Sequence, residues 1–292
     1  MVKNYHFETA PFYMKVDLHT HSTYSDGTDS LDDLISKCRS NGIEYVSLTD
    51  HDCIGGTKVF LEKASSNGIN AIPGIEFSAE HPTELHILCY NYDQDDPVLN
   101  DALNYLLEER KTRIVKMMRL LQDDGFRISD EELQGLIGNG VPTRPHIGQL
   151  LVNKGYCRTV KEAFERYIGV GCKYFVKKGI LTKEEIFSIS EKASGTTVLA
   201  HPAKLHEPDF EKLLRKLLDF GLRGIEVFYP IHSDRECDYY MSVAERYGLM
   251  ITQGSDNHGT RRNTYLGKET RGNENELLMA SVQKLFRKQE LI

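Results

Sequence analysis

Along the first third of the chain, short apolar runs alternate with stretches whose apolar residues recur every three or four positions. Lys15–Leu18 reads as a strand leading into the polar turn Ser22-Thr23-Tyr24-Ser25-Asp26-Gly27. Ser30 then caps a helix to about Asn41, with Leu31, Leu34, Ile35 and Cys38 on one face and Gly42 as its stop. Tyr45–Leu48 is the second strand and Thr57–Ser66 the second helix, followed by strands at Asn70–Ile75 and Leu85–Tyr90. Strand and helix in alternation predict parallel pairing and an α/β fold.

The pattern changes between about Pro97 and Lys178, where helices follow one another without strands. Leu99–Leu121 is one long amphipathic helix, with shorter ones at Asp130–Ile137, Ile147–Asn153 and Val160–Tyr167. The alternation returns after Thr182: strands at Thr197–Ala200, Gly224–Phe228 and Met250–Gln253 are separated by helices at Phe210–Phe220 and Arg235–Tyr247. Seven strand candidates with helical crossovers suggest a closed or nearly closed barrel. The expected division is a barrel in two parts, 1–96 and 182–292, interrupted by a helical insertion domain at 97–181.

Composition narrows the picture only a little. A net charge of −7 argues against duplex DNA, which needs a basic face. It leaves room for a small anionic substrate, because bound cations reverse the local sign. The six cysteines show no Cys-x-x-Cys and no compact spacing, which reads as reduced thiols in a cytoplasmic protein. Residues 1–14 include Lys3, His6, Glu8 and Pro11, so no signal peptide is visible, and no apolar run approaches a membrane span.

Candidate chemistry gathers where strands end. His19 and His21 alternate along the first strand and so share a face. Asp26 follows in the next loop, His51 ends the second strand, Glu76 the third, His201 the fifth, and Asp256 and His258 follow the last. In a parallel barrel these ends form one rim. His86 fits less well, because it begins its strand and should lie at the far end. Six imidazoles and three carboxylates exceed the needs of one ion, and suggest two or three with Glu76 bridging a pair. Three divalent ions bring roughly +6 against about −3 from the carboxylates, leaving a positive pocket suited to phosphate. Singly, each residue has an ordinary explanation as a cap, a turn or surface; together at strand ends they do not.

The motifs Asp-Leu-His-Thr-His-Ser at 17–22, Ser-Asp-Gly at 25–27, Thr-Asp-His-Asp at 49–52, Pro-Gly-Ile-Glu at 73–76, Ala-His-Pro at 200–202 and Gly-Ser-Asp-Asn-His at 254–258, with the His86 strand, resemble the PHP (polymerase and histidinol phosphatase) phosphoesterases. The resemblance covers nearly the whole chain. It implies a distorted seven-stranded (β/α) barrel and a trinuclear site of Mn, Fe, Zn or a mixture. His19, His21, Glu76 and Asp256 would hold the first ion, Glu76, His86 and His201 the second, and Asp26, His51 and His258 the third. The helical insertion, with Thr143-Arg144-Pro145-His146 and Lys173-Tyr174, resembles a bacterial subgroup acting on nucleotide phosphates. Those enzymes remove the 3′-phosphate of nucleoside 3′,5′-bisphosphates or trim short RNA from its 5′ end.

The expected reaction is in-line attack on phosphorus by hydroxide shared between metals, with no side-chain nucleophile. Arg144 suits the substrate's phosphate, as its planar fork binds two oxygens, and His146 and Lys173 are candidate assistants. Arg261 and Arg262 either reach substrate or decorate a loop. Asp17, Asp50 and Asp52, which flank ligands, are expected to orient imidazoles. Tyr174, Phe228 and Tyr229 are aromatics available for base stacking if exposed. Histidinol-phosphate phosphatase is an alternative with the same metal chemistry but no need for the insertion. A non-catalytic metal-binding accessory module is the alternative of another class.

Overall fold

The computed structural model describes residues 15–138, 140–261, 264–267, 270 and 273–289. Arg262 and residues 1–14, where the absence of a signal peptide was inferred, lie outside them. Seven strands form one sheet in sequence order: β1 (Lys15–Thr20), β2 (Ile43–Leu48), β3 (Asn70–Ala79), β4 (Leu85–Tyr90), β5 (Thr196–Leu199), β6 (Gly224–Phe228) and β7 (Met250–Gln253). The first and last strands meet at one rim. Thr20 bridges Asn257, the Asp256 N–H donates to the His19 carbonyl at 2.8 Å, and Gln253 Nε2 donates to the Val16 carbonyl at 2.8 Å. The sheet therefore curls round on itself as a distorted barrel. Gly254 permits this approach, since a Cβ there would lie 2.1 Å from His19 Cβ.

The helices pack outside. α1 (Leu31–Asn41) starts with a capping box between Ser30 and Asp33 and stops at Gly42 with φ 68°. α2 (Thr57–Ser66) follows β2, and α3 (Pro97–Asp123), α4 (Asp130–Ile137), α5 (Arg144–Asn153) and α6 (Val160–Ala163) follow β4. α6 runs on into a π-helical turn, Phe164–Ile168. α7 (Lys183–Lys192), α8 (Phe210–Asp219) and α9 (Asp234–Tyr247) complete the crossovers.

One strand departs from the parallel expectation. β4 is antiparallel to both β3 and β5. The reason is the connection: only residues 80–84 separate β3 from β4, and a parallel crossover takes a dozen or more. A second departure is α10 (Asn273–Gln289), a helix that the sequence analysis did not anticipate. It buries Leu278, Met279, Val282 and Leu285 in the main core, and the Leu285 carbonyl accepts from Asn91 Nδ2 at 2.7 Å.

α3 serves two cores. Spanning about 40 Å at 1.5 Å per residue, it packs Leu99, Leu103 and Leu106 into the barrel core. Further along, Ile114, Met117, Met118 and Leu121 join a separate cluster with Ile147, Leu151 and Ile168. Between Leu106 and Ile114, the buried residues of the helix are Arg110 and Arg113. The six cysteines are free thiols. Among the described residues, no helix is long and apolar enough to cross a membrane.

Candidate active site

The reversal of β4 places His86 where the others are. Because β4 runs the opposite way, its first residues lie at the rim where the parallel strands end, and Ser78 near the end of β3 pairs with His86. Glu76 is the hub. Its Oε2 faces His19 Nε2 and His21 Nε2, each at 3.3 Å, and His51 Nδ1 at 2.9 Å. Its Oε1 faces His86 Nδ1 at 2.7 Å and His201 Nε2 at 2.9 Å. Asp256 Oδ1 lies 3.2 Å from His21 Nε2 and 3.4 Å from His258 Nδ1. Asp26 Oδ1 lies 3.1 Å from His258 Nε2 and 3.9 Å from His51 Nε2.

All nine candidate ligands thus converge. Ligand atoms within 4.8 Å of one another form three sets: His19, His21, Glu76 and Asp256; His21, Asp26, His51 and His258; and His51, Glu76 and His86. The first matches the set the resemblance implies. His51 appears in both of the others, while His201 sits beside the third set, its Nε2 3.2 Å from His86 Nδ1. The donor chemistry fits divalent ions. His19 Nε2, both nitrogens of His21, Asp26 Oδ1, His51 Nδ1 and Glu76 Oε2 are buried without an aligned hydrogen bond, although they crowd together. Polar atoms so buried cost about 1–3 kcal/mol each unless something satisfies them.

Charge is finely divided on this rim. Burial depresses His19 and His21, but the carboxylates outweigh it: Glu76 with Glu226 and Asp256 holds His19 well above its usual value, and Asp256 with Glu76 lifts His21 to about 9. Burial wins at His201, pushed down to about 4. Burial also opposes ionisation of Glu76, Asp26 and Asp256, yet the surrounding imidazoles hold all three well below the carboxylate range. Such protons are those a cation displaces on binding.

The groups that orient the ligands differ from those expected. Glu226 Oε1 lies 3.0 Å from His19 Nδ1, and its Oε2 accepts the His201 N–H at 2.8 Å. Tyr229 Oη and Lys204 Nζ each donate to Asp256 Oδ2 at 2.8 Å. Asp17, Asp50 and Asp52, expected to orient imidazoles, make no hydrogen bond to a ring. Asp17 accepts the N–H groups of Ser255 and Gly267, and Asp50 accepts from Ser22 and Ser25. Asp52 pairs with Arg110 and Lys178. Each flanks a ligand on a strand end, but its side chain braces loops and cations. Sequence analysis missed Glu226, although a lone carboxylate inside the apolar strand Gly224–Phe228 is a legible signal.

The rim opens into a cavity of about 710 Å³ whose other wall comes from the helical segment. Arg110, Arg113, Arg144 and Lys178 line it, with Phe164 and Phe175. The Arg144 guanidinium lies 5.1 Å from the Phe164 ring and 5.6 Å from Phe175, and Arg113 stands 5.4 Å from Phe175. His146 and Lys173 do not line this cavity. His146 is buried, and Thr143 N–H and Oγ1 meet its Nδ1 at 3.1 and 3.0 Å in a capping box. Lys173 is exposed and pairs with Asp124. Tyr174, Phe228 and Tyr229 are buried, so the aromatics that face the cavity are Phe164 and Phe175. Arg261 donates to the Asp26 carbonyl at 2.6 Å. Arg110 and Arg113 had a signal in the sequence, since both continue the apolar stripe of α3.

A curled α/β sheet with this rim defines a metal-dependent hydrolase of phosphoester bonds. The PHP-domain model matches residues 17–181, and the chain belongs to that family. Three curated relatives cover most of it. A phosphoribosyl 1,2-cyclic phosphate 1,2-diphosphodiesterase from Eggerthella lenta is 28% identical over 83% of this chain and 94% of its own length. A 3′,5′-nucleoside bisphosphate phosphatase from Chromobacterium violaceum is 29% identical over 83% and 87%. A 5′-3′ exoribonuclease from Haemophilus influenzae is 30% identical over 84% and 90%. Among solved structures, an amidohydrolase from Chromobacterium violaceum, with bound sulfate and no metal, superposes with a TM-score of 0.79 at 26% identity, over 91% of this chain and 96% of that one.

Proposed function

We propose that this protein hydrolyses phosphate esters of nucleotides, removing the 3′-phosphate of nucleoside 3′,5′-bisphosphates or the 5′ end of short RNA. In this reading His19, His21, Asp26, His51, Glu76, His86, His201, Asp256 and His258 hold two or three divalent ions, and residues 97–181 act as a substrate-binding insertion. The observation that carries it is one cavity with two anion-seeking walls, the metal rim and the arginine pair Arg113 and Arg144. A bisphosphate carries a phosphate for each. The relatives that act on a nucleoside bisphosphate and on RNA ends support the substrate class, and the sulfate held by a structural relative supports an anion site.

When bound, the ions supply an activated water near neutral pH and neutralise phosphoryl charge. The chain's own groups do the rest. Glu76 divides its two oxygens between two sets of imidazoles, so one carboxylate spans neighbouring sites. Glu226 fixes the ring of His19, the imidazoles with Lys204 keep Asp256 ionised, and Tyr229 aims it. Arg144, backed by Phe164, presents its fork to the remote phosphate. The free thiols fit a reducing, cytoplasmic setting.

The test is phosphate release, with Mn²⁺ supplied, from adenosine 3′,5′-bisphosphate beside AMP, histidinol phosphate and a cyclic ribose phosphodiester. Preference for the bisphosphate is expected. Preference for histidinol phosphate or the cyclic diester would keep the metal rim and overturn the substrate assignment.

A further inference from the structure

One buried carboxylate, Asp52, pairs with two of the cations that line the cavity without lining it itself. Asp52 follows His51 with its backbone in the left-handed region, φ 51°, and its side chain is fully buried. Oδ1 accepts the Ser78 N–H at 2.8 Å, and Oδ2 accepts from Ser78 Oγ at 3.1 Å, Lys178 Nζ at 2.8 Å and Arg110 Nη2. Its own N–H donates to the Glu76 carbonyl at 3.0 Å. One residue therefore ties together the loop of His51, the strand of Glu76, helix α3 and the segment returning from the helical wall.

We infer that Asp52 is a positioning residue, a latch that holds the helical segment against the metal rim and so sets the separation between the rim and the Arg113–Arg144 pair. The inference rests on the functional reading above for the role of that pair. Three features argue that charge does this work here. First, α3 passes from the barrel core to the second cluster between Leu106 and Ile114, and its buried side chains in that interval are the two arginines. Second, without the carboxylate, Arg110 and Lys178 would lose the acceptor they share while standing beside two further cations, Arg113 and Arg144, on the cavity wall. Third, Asp52 holds a left-handed backbone, which Asp adopts more readily than most residues, with its carboxylate on Ser78, Arg110 and Lys178. A second tether, the Val141 N–H to the Tyr24 carbonyl at 3.1 Å, remains when the latch is opened. The segment should then loosen without coming away.

Asp52→Asn suits the left-handed backbone and keeps an acceptor for Ser78, but removes the charge that holds Arg110 and Lys178. The measurement is kcat/KM for adenosine 3′,5′-bisphosphate against p-nitrophenyl phosphate, which has one phosphate and does not span the two walls. The ratio should fall about 10- to 100-fold, through KM for the bisphosphate, as for an anchor displaced by an ångström or so. Metal content should stay level, and hydrogen–deuterium exchange over residues 105–113 and 174–182 should rise. Lys178→Met, which opens the latch without removing the carboxylate beside His51, should reproduce the rise in exchange; because Lys178 itself lines the cavity, exchange and not KM is its readout. The double variant should add little further, as expected of one coupled unit. Equal losses on both esters with lost metal would mean that Asp52 serves His51, and would overturn the latch. So would an unchanged ratio, or unchanged exchange in both variants. If the unaltered protein shows no preference for the bisphosphate, it is the functional reading that fails. Exchange alone then decides on the latch, raised in its favour and unchanged against it.

Discussion

The two walls of the cavity solve opposite problems. On the rim, carboxylates pull protons onto imidazoles, so that His21 sits at about 9. On the helical wall, burial and neighbouring cations weaken the hold on protons without removing the charge near neutral pH: Arg113 is pushed down to about 9 and Lys178 to about 8. Rim residues come from strand ends and the loops after them along the length of the barrel, with the rings of His19 and His258 braced by Glu226 and by the Asp256 carbonyl. Wall residues come from α3, the start of α5 and a π-helical turn, backed by aromatic faces. Metal ligation needs direction, and a barrel supplies it. Anion selection needs charge at a set distance, which a helix face provides with fewer constraints. On the proposed function, the rim would govern whether an ester is cleaved, and the wall which one.

That division can be broken from either side. The largest effect should follow loss of a ligand: His51→Ala or Asp256→Ala should lower kcat by a thousandfold or more on every ester, with the barrel folded by circular dichroism, on the order expected when the metal's contribution is lost. Near-normal rates in both would sink the metal-site assignment. Glu226→Gln should come next, weakening metal affinity about 10- to 100-fold by freeing His19; titration of metal-stripped protein with Mn²⁺ would reveal it. Arg144→Ala should act on the wall alone, raising KM for the bisphosphate about 10- to 100-fold, the size of a charge-assisted hydrogen bond. A fall confined to kcat would count against the division.

Smaller effects sharpen it. The folded pKa of His21, about 9, lies above its ordinary 6.5. Its protonation thus stabilises the metal-free fold fully below pH 6.5 and progressively less toward pH 9. Chelator-treated protein should lose several degrees of Tm between pH 6.5 and 8, while loaded protein should not; a Tm that rises with pH in the stripped form would contradict this. Smallest of all, His146→Ala should cost about 1 kcal/mol of stability as a lost cap and leave KM unchanged, and Lys173→Ala should leave both as they are. A KM effect at either would return them to the wall.

The rim was legible in the sequence because chelation demands particular side chains at strand ends, and alternation along a strand is a strong spacing rule. His19, His21 and Glu76 could be placed on that basis. His86 was harder only because β4 was taken as parallel; even with the third strand ending at Ile75, the nine-residue link 76–84 is shorter than a parallel crossover needs. The wall was largely illegible. Arg144 stood out beside prolines, whereas Arg110 and Arg113 were marked only by their place on the apolar stripe of α3, a weak signal because arginine in a helix is more often solvated. Lys178 and Lys204 carry no local pattern at all, and their partners Asp52 and Asp256 lie far away in the chain. Pairing across such distances is a property of the fold, not of any segment. α10 escaped notice because it follows the last strand, where the alternation offers no further cue.

The reversed strand also determines how this architecture can change. β4 descends from the rim, so α3 starts at the base, where the Asp93 N–H donates to the Ala193 carbonyl at the end of α7. The chain then climbs, forms the wall, and re-enters beside β3, where the Glu80 N–H donates to the Leu181 carbonyl. Everything between those two seams lies outside the ring of strands. Beyond Leu106, where α3 leaves the barrel core, a descendant could lengthen, shorten or replace that excursion as a cassette, and acquire a new diet of esters, without moving a single candidate metal ligand.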